Sequence, residues 1–516
     1  MTESIVDFFV SKCQLCDQRS PTCSQCGIAA LLCTYDIPRR KRGPKPRDRS
    51  YGIDISLDVG DDQGEAETPD LDDCQPQVVS DSLRSPPHRV NPVVGLESGI
   101  VVTQPMTHHK ELLSSMAKKG LTPDESVEHC ISLYIEFVFP LIPILCESTL
   151  RSQASLMLPP FIRETGSPLL PLTPDMVHSV RTYSLTASLC AFIAHIRPCE
   201  DHPRDDTLAA LFLASSQAML HPYSGYDISY PNSTSLSIRI FQSSCYHMMG
   251  NSCLAWHVMG EAVRLAQQMR LYNERSYHGM DPIEAKMCRN AFWYLCSADR
   301  SASLLPERTL SLQGPYTAAF CQSETPPLLD PSRPENYGQF EGRLLMGVWK
   351  DHQVWKLGVD VLADLDIFLA ASSRTGNGTE ITLTQQRSLR EAYLRFIGVL
   401  DDLPDDLTLN AAVHDLKDER ERYQRRAFWI QKMNITLTYH YLRMSILNRF
   451  ISAKIPQVLG LHDDPTSIAC RKVEIAHELL NSVTSLPLES LQANGEPCNM
   501  KWPKWLKEPR RTSSCY

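Results

Sequence analysis

Residues 252–271 read SCLAWHVMGEAVRLAQQMRL, and this stretch decides the fold class. Leu254, Val258 or Met259, Ala262, Leu265 and Met269 recur at three- and four-residue intervals. That spacing puts them along one face of an α-helix. A strand would alternate at every second residue, and such patterns are scarce anywhere in the chain. Upstream, 126–145 reads SVEHCISLYIEFVFPLIPIL, helical text that runs into Pro140 and Pro143. Downstream, Asp281-Pro282 supplies a cap and a first-turn proline for a helix that continues EAKMCRNAFWYLCSADRSASLL. A loop rich in Pro, Ser and Glu follows at 322–340, and helical text resumes near 341. It includes QQRSLREAYLRFIGVLDDL, RRAFWIQKMNITLTYHYLRMSILNRF and SIACRKVEIAHELLNSVTSL. No internal repeat occurs at solenoid periods. The expected fold class is mainly α, with one large all-α domain over 107–490 and an irregular tail over 491–516.

The chain has 516 residues, 42% hydrophobic and 22% charged, enough apolar material for a sizeable core. Its net charge of −9 disfavours a protein that coats nucleic acid over its whole surface. A small basic module on an acidic body remains open. The opening MTESIVDFFV has no basic residue ahead of its apolar stretch, so no secretory signal is expected. The apolar run from Ile131 to Leu145 is broken by Glu136, Pro140 and Pro143, too short to span a bilayer. A soluble intracellular protein is expected, with no membrane partner. Of the 18 cysteines, those standing singly in helical text, such as Cys190, Cys253 and Cys296, read as small buried hydrophobes. Trp256 and Trp293 read as core anchors within their apolar stripes.

Cys13, Cys16, Cys23, Cys26 and Cys33 are different, because five cysteines in so short a stretch ask for a metal. A basic run, PRRKRGPKPRDR at 38–49, follows them directly. Residues 50–106 then carry nine acidic side chains between Asp54 and Asp73, followed by Ser and Pro. They show no apolar periodicity and no heptads, so a disordered linker without a coiled coil is expected.

Cys23-x2-Cys26-x6-Cys33, preceded by Cys16 and Pro21, resembles the second half of the fungal binuclear zinc cluster. In that family two C-x2-C-x6-C arms, joined by a proline-bearing loop, hold two zinc ions on six thiolates. The resemblance places Cys16, Cys23, Cys26 and Cys33 as the third to sixth ligands and Pro21 as the loop proline. The family's first arm carries a basic helix that reads bases in the major groove. Here Lys12 is the one basic residue among 1–12, and Cys13 stands where the family has a basic position. Five thiolates suit one tetrahedral zinc rather than the two-zinc cluster. The RGPKP of the basic run is similar to the linker that follows such clusters. Arg39, Arg40, Lys41, Arg42, Lys45 and Arg47 are thus candidates for DNA phosphate contacts, and the run is a candidate nuclear import signal.

The middle of the chain resembles the fungal-specific transcription factor domain, the middle homology region of such regulators. Tyr134, Pro140, Leu141, Pro143 and Ile144 echo a motif near its start. Ala255-Trp256 and Gly260-x-Ala262-Val263-Arg264-x-Ala266 match its central helix. Glu284, Arg289, Phe292, Trp293, Asp299 and Arg300 match a motif ending in Asp-Arg. The similarity covers about 125–320 and extends more loosely to 450. Read from the residues alone, Asp299-Arg300 is an ion pair or cap at a helix end, and Glu261 with Arg264 is a surface or interhelical pair.

The resemblance implies a large all-α regulatory domain behind a partial zinc-cluster module (13–35), a basic linker (36–49) and a disordered linker (50–106). It implies a nuclear, zinc-dependent, DNA-binding transcription factor for a pathway-specific or secondary-metabolite gene cluster. DNA and the transcription machinery would be its partners. Two other readings stand beside it: a regulator that reaches DNA only through a protein partner, and a helical metabolic enzyme with a zinc site. The chain has no Walker loop, GxSxG, HExxH or GxGxxG, and His477-Glu478 lacks a second zincin histidine, so no catalytic residue is expected.

Overall fold

The computed structural model describes residues 103–494, except 160, 163–172, 197–203, 305–307, 313–338, 375–380 and 409–417. Helix accounts for 81% of the described residues and strand for none, which meets the all-α expectation. These helices belong to the second of two units into which the chain divides, Pro92–Tyr516. The segments 13–35 and 36–49, most of the 50–106 linker and the tail beyond 494 lie outside the described residues.

Short polar residues start most of the helices. Thr122 caps α2 (Pro123–Leu133), and Thr173 caps α4 (Pro174–His195). Asp205 caps α5 (Asp206–Leu220), and Asn251 caps α8 (Ser252–Gln268). Asp281 accepts from the N–H groups of Ile283 and Glu284 at the head of α9 (Pro282–Ser303), as its sequence predicts. Asn232 forms a reciprocal box with Ser235 at the start of α7 (Ser233–Met248). In each case a side-chain oxygen takes a backbone N–H that has no partner within the helix. The first helix, α1 (Thr103–Lys118), takes in residues 103–106, which the sequence assigned to the linker.

Two hydrophobic cores follow one another along the chain. The first gathers α1, α2, α3 (Glu147–Gln153), α4, α5, α7, α8 and α9. Its centre is α4, buried without a break from Thr186 to His195. A helix apolar on every side can sit only in the interior. A short chain of hydrogen bonds ties it to its neighbours: Ser216 donates to the Ser184 carbonyl at 2.7 Å, and Gln242 donates to Ser216 at 3.0 Å.

The second core is built by α10 (Phe340–Arg374), α11 (Leu383–Ile397) and α13 (Glu419–Ser452), with the short α12 (Asp405–Thr408) beside them. α10 and α13 reach into both cores. Leu345, Trp349 and Ile430 join the first, and Val354, Leu365, Leu442 and Phe450 join the second. α14 (Pro465–Thr484) and α15 (Leu488–Ala493) pack on α13 through Leu479, Leu491, Met433 and Leu437. α15 thus occupies 491–493, the first residues of the stretch expected to be irregular.

Candidate functional site

The residues proposed from sequence as metal ligands, Cys13, Cys16, Cys23, Cys26 and Cys33, lie outside the described residues. So do Arg39, Arg40, Lys41, Arg42, Lys45 and Arg47. The described residues instead show what the motifs of the helical body do.

The Tyr134-to-Pro143 motif is a junction. α2 loosens into a π-helical turn, Tyr134–Val138, just before Pro140. The carbonyls of the proline-rich segment are then captured by side chains. Tyr134 Oη donates to Ile142 O at 2.7 Å, and Asn290 Nδ2 of α9 donates to Pro143 O at 2.6 Å. Gln431 Nε2 of α13 bridges Pro140 O at 2.8 Å and Leu344 O of α10 at 2.7 Å. A proline-bearing segment cannot satisfy its own backbone as a helix does, so buried side chains do it instead. Gln431 fits because Gly347 has no Cβ; one there would overlap its carboxamide.

A second constellation escaped the sequence reading. Asp227, on the short helix α6 (Ser224–Ser229), is fully buried between two arginines. Arg181 Nε lies 2.7 Å from Oδ1 and Arg239 Nη1 2.7 Å from Oδ2, while Ser235 Oγ donates to Oδ1 at 2.6 Å. Burial alone would push this carboxyl up. The Arg239 charge, the Ser235 hydroxyl and Arg181 outweigh it and hold it below the usual carboxylate range. Arg239 also reaches Glu261 at 3.3 Å, so Glu261 pairs between helices and not with Arg264. The cluster ties α4, α6, α7 and α8 together. Nothing near Asp227 in the sequence signals two arginines that lie 46 and 12 residues away.

Asp299 is also structural. Its carboxylate accepts from the N–H groups of Ser311 and Leu312, both at 2.9 Å, and so anchors the segment returning along α9. Burial keeps its carboxyl above the usual range despite those bonds. Arg300 donates to Cys296 O at 3.2 Å within its own helix. Trp293 is 2% exposed and meets Trp349 edge to face at 4.6 Å, an anchor as expected. Trp256 is not. It is 43% exposed, with the Arg308 guanidinium 5.4 Å from its ring centre. Cys253 is likewise exposed, whereas Cys190 and Cys296 are buried. Both misreadings come from α8, whose buried stripe runs through Ala255, Val258, Ala262 and Leu265 and leaves Cys253 and Trp256 outside.

The described body is therefore an all-α scaffold whose motif residues mostly brace helices against one another. Residues 131–312 match the fungal specific transcription factor domain, so the chain carries that domain across most of its first core. The match supports a transcription regulator of fungal type, and that family suggests regulation rather than catalysis. No curated protein and no solved structure matches the chain. Among the described residues, no helix is long and apolar enough to cross a membrane.

Proposed function

We propose that the protein is a nuclear, zinc-dependent transcription factor of a pathway-specific or secondary-metabolite gene cluster, with residues 13–49 as its DNA-contacting part. The observation that carries this reading is the order along the chain. A cysteine cluster spaced C-x2-C-x6-C and a basic run precede a fungal specific transcription factor domain. Cys16, Cys23, Cys26 and Cys33 would hold one zinc tetrahedrally as thiolates, with Cys13 the spare ligand. Zinc would fold this short segment and set the position of the basic run. Arg39, Arg40, Lys41, Arg42, Lys45 and Arg47 would neutralise phosphates. Such contacts place a protein on DNA without choosing its sequence.

The test is a titration of labelled duplex DNA over a range of salt concentrations, with bound zinc measured on the same preparation. About one zinc per chain is expected. Changing Arg39, Arg40, Lys41 and Arg42 to Gln should weaken binding alike on all duplexes. It should also flatten the log–log salt slope by about 3–4. An unchanged slope would remove the basic run from the DNA interface and favour a regulator that reaches DNA through a partner.

A further inference from the structure

The outer face of α8 carries three features that the interior of the protein does not need. Trp256 leaves 43% of its surface in solvent although α8 already has a complete buried stripe. Gly260 stands in the middle of this 17-residue helix. A glycine there costs about 1 kcal/mol relative to alanine. Internal packing does not require it: an added Cβ would meet only the Arg264 guanidinium, at an ordinary 3.6 Å. The missing side chain leaves room for the Arg264 guanidinium to lie along the helix at Gly260, one turn from Trp256. Finally, two guanidiniums stand on this face. Arg308 lies over Trp256 and donates to Ser252 O at 2.9 Å, and the exposed Arg264 folds back over Gly260. Neither forms an ion pair among the described residues, and the nearby Glu261 is taken by Arg239 and His257.

We propose that the Trp256–Gly260–Arg264 face of α8, with Arg308, is a docking surface for an acidic peptide segment of a protein partner, one that sets carboxylates beside a bulky apolar side chain. Charge complementarity selects this occupant. The two guanidiniums offer sites for carboxylates near an exposed indole that takes an apolar or aromatic side chain. A phosphate backbone fits less well. Nucleic-acid interfaces gather many cations, and here two stand on a chain of net charge −9. The surface goes beyond the DNA reading and does not depend on it.

The experiment uses the full chain and a fluorescein-labelled synthetic peptide in which aspartates alternate with leucine and phenylalanine. Binding is followed by fluorescence anisotropy, with labelled poly-aspartate and labelled duplex DNA in parallel. The alternating peptide should bind more tightly than poly-aspartate. Trp256→Ala and the double reversal Arg264→Glu/Arg308→Glu should each weaken it about tenfold or more. Gly260→Gln, which displaces the Arg264 guanidinium from its place over the helix while favouring the helix, should weaken it as well, and that loss cannot be put down to unfolding. Circular dichroism of each variant should match the parent, since Trp256 and Arg264 are exposed and Gly260 and Arg308 are only half-buried. Neutralising Arg39, Arg40, Lys41 and Arg42 should leave peptide binding unchanged while lowering DNA binding. The proposal fails if the reversal and Gly260→Gln leave peptide affinity unchanged. It also fails if peptide binding follows the basic run, or if the reversal weakens DNA binding and not peptide binding.

Discussion

At the scale of single residues, two tryptophans on neighbouring helices have opposite roles. Trp293 is sealed against Trp349 and His352, while Trp256 faces outward with Arg308. Both sit in apolar text, and only the direction in which the helix meets its neighbours separates them. Backbone conformation gives a second instance. Arg270 and Lys454 have φ of 55° and 60°, the left-handed region that favours glycine. Each ends a helix in a Schellman turn: Leu271 N–H reaches Ala266 O, and Ile455 N–H reaches Phe450 O. Gly120 and Gly250 fill the same place after α1 and α7 without strain. Replacing Arg270 or Lys454 with glycine should therefore raise stability by about 0.5–1 kcal/mol. Urea melts of the two variants would show this, and a midpoint below the parent's for both would contradict it.

At the scale of elements, close helix approach depends on missing side chains. α10 crosses α13 at Gly358, where a Cβ would stand 2.8 Å from Leu442 Cδ1 and 3.1 Å from Phe396 Cε2. Neither neighbour has room to withdraw, because Phe396 and Leu442 are both fully buried. Gly358→Ala should cost about 1–3 kcal/mol through overpacking. Gly260→Ala, on the open face of α8, should instead stabilise by about 0.5–1 kcal/mol through helix propensity. Thermal melts of the pair decide between packing and propensity as the reason for each glycine. The same direction of shift in both variants would defeat the distinction. Periodicity and capping make a helix and its ends legible, but a glycine reads alike in either setting until the partner helix is known.

At the scale of the whole molecule, buried histidines couple the fold to pH. His440 of α13 faces Arg443 on its own helix and Glu478 on α14, beside Tyr439. Burial, reinforced by the Arg443 charge and opposed by Glu478, brings its pKa down from 6.5 to about 4. His352, packed between Trp293 and Trp349, is pushed down by burial, Arg300 and Lys356. Between the folded and unfolded values the unfolded chain binds more protons, so stability falls as pH falls. For His440 that contribution is complete above about pH 6.5. Roughly 2 kcal/mol of it should be gone by pH 5. Denaturant melts at pH 7 and pH 5 should show the loss, and His440→Phe should reduce it. An equal loss in the variant would show that His440 is not its source.

The sequence by itself determined the helical class, the cap at Asp281, and the order of the motifs later matched by a family across 131–312. These are local properties: a helix face repeats every three or four residues, and a cap acts within three residues of its own position. Only the tertiary structure decided which apolar residues are inside, that Asp227 is held by two distant arginines, and that Gln431 bridges Pro140 to Leu344. Gln431 and Pro140 stand 291 residues apart, and such pairings become visible only once helices pack. Burial is a relation between elements, and a stripe of apolar residues does not say which neighbour will cover it or how far that cover extends. That is why Trp256 read as core and lies at the surface.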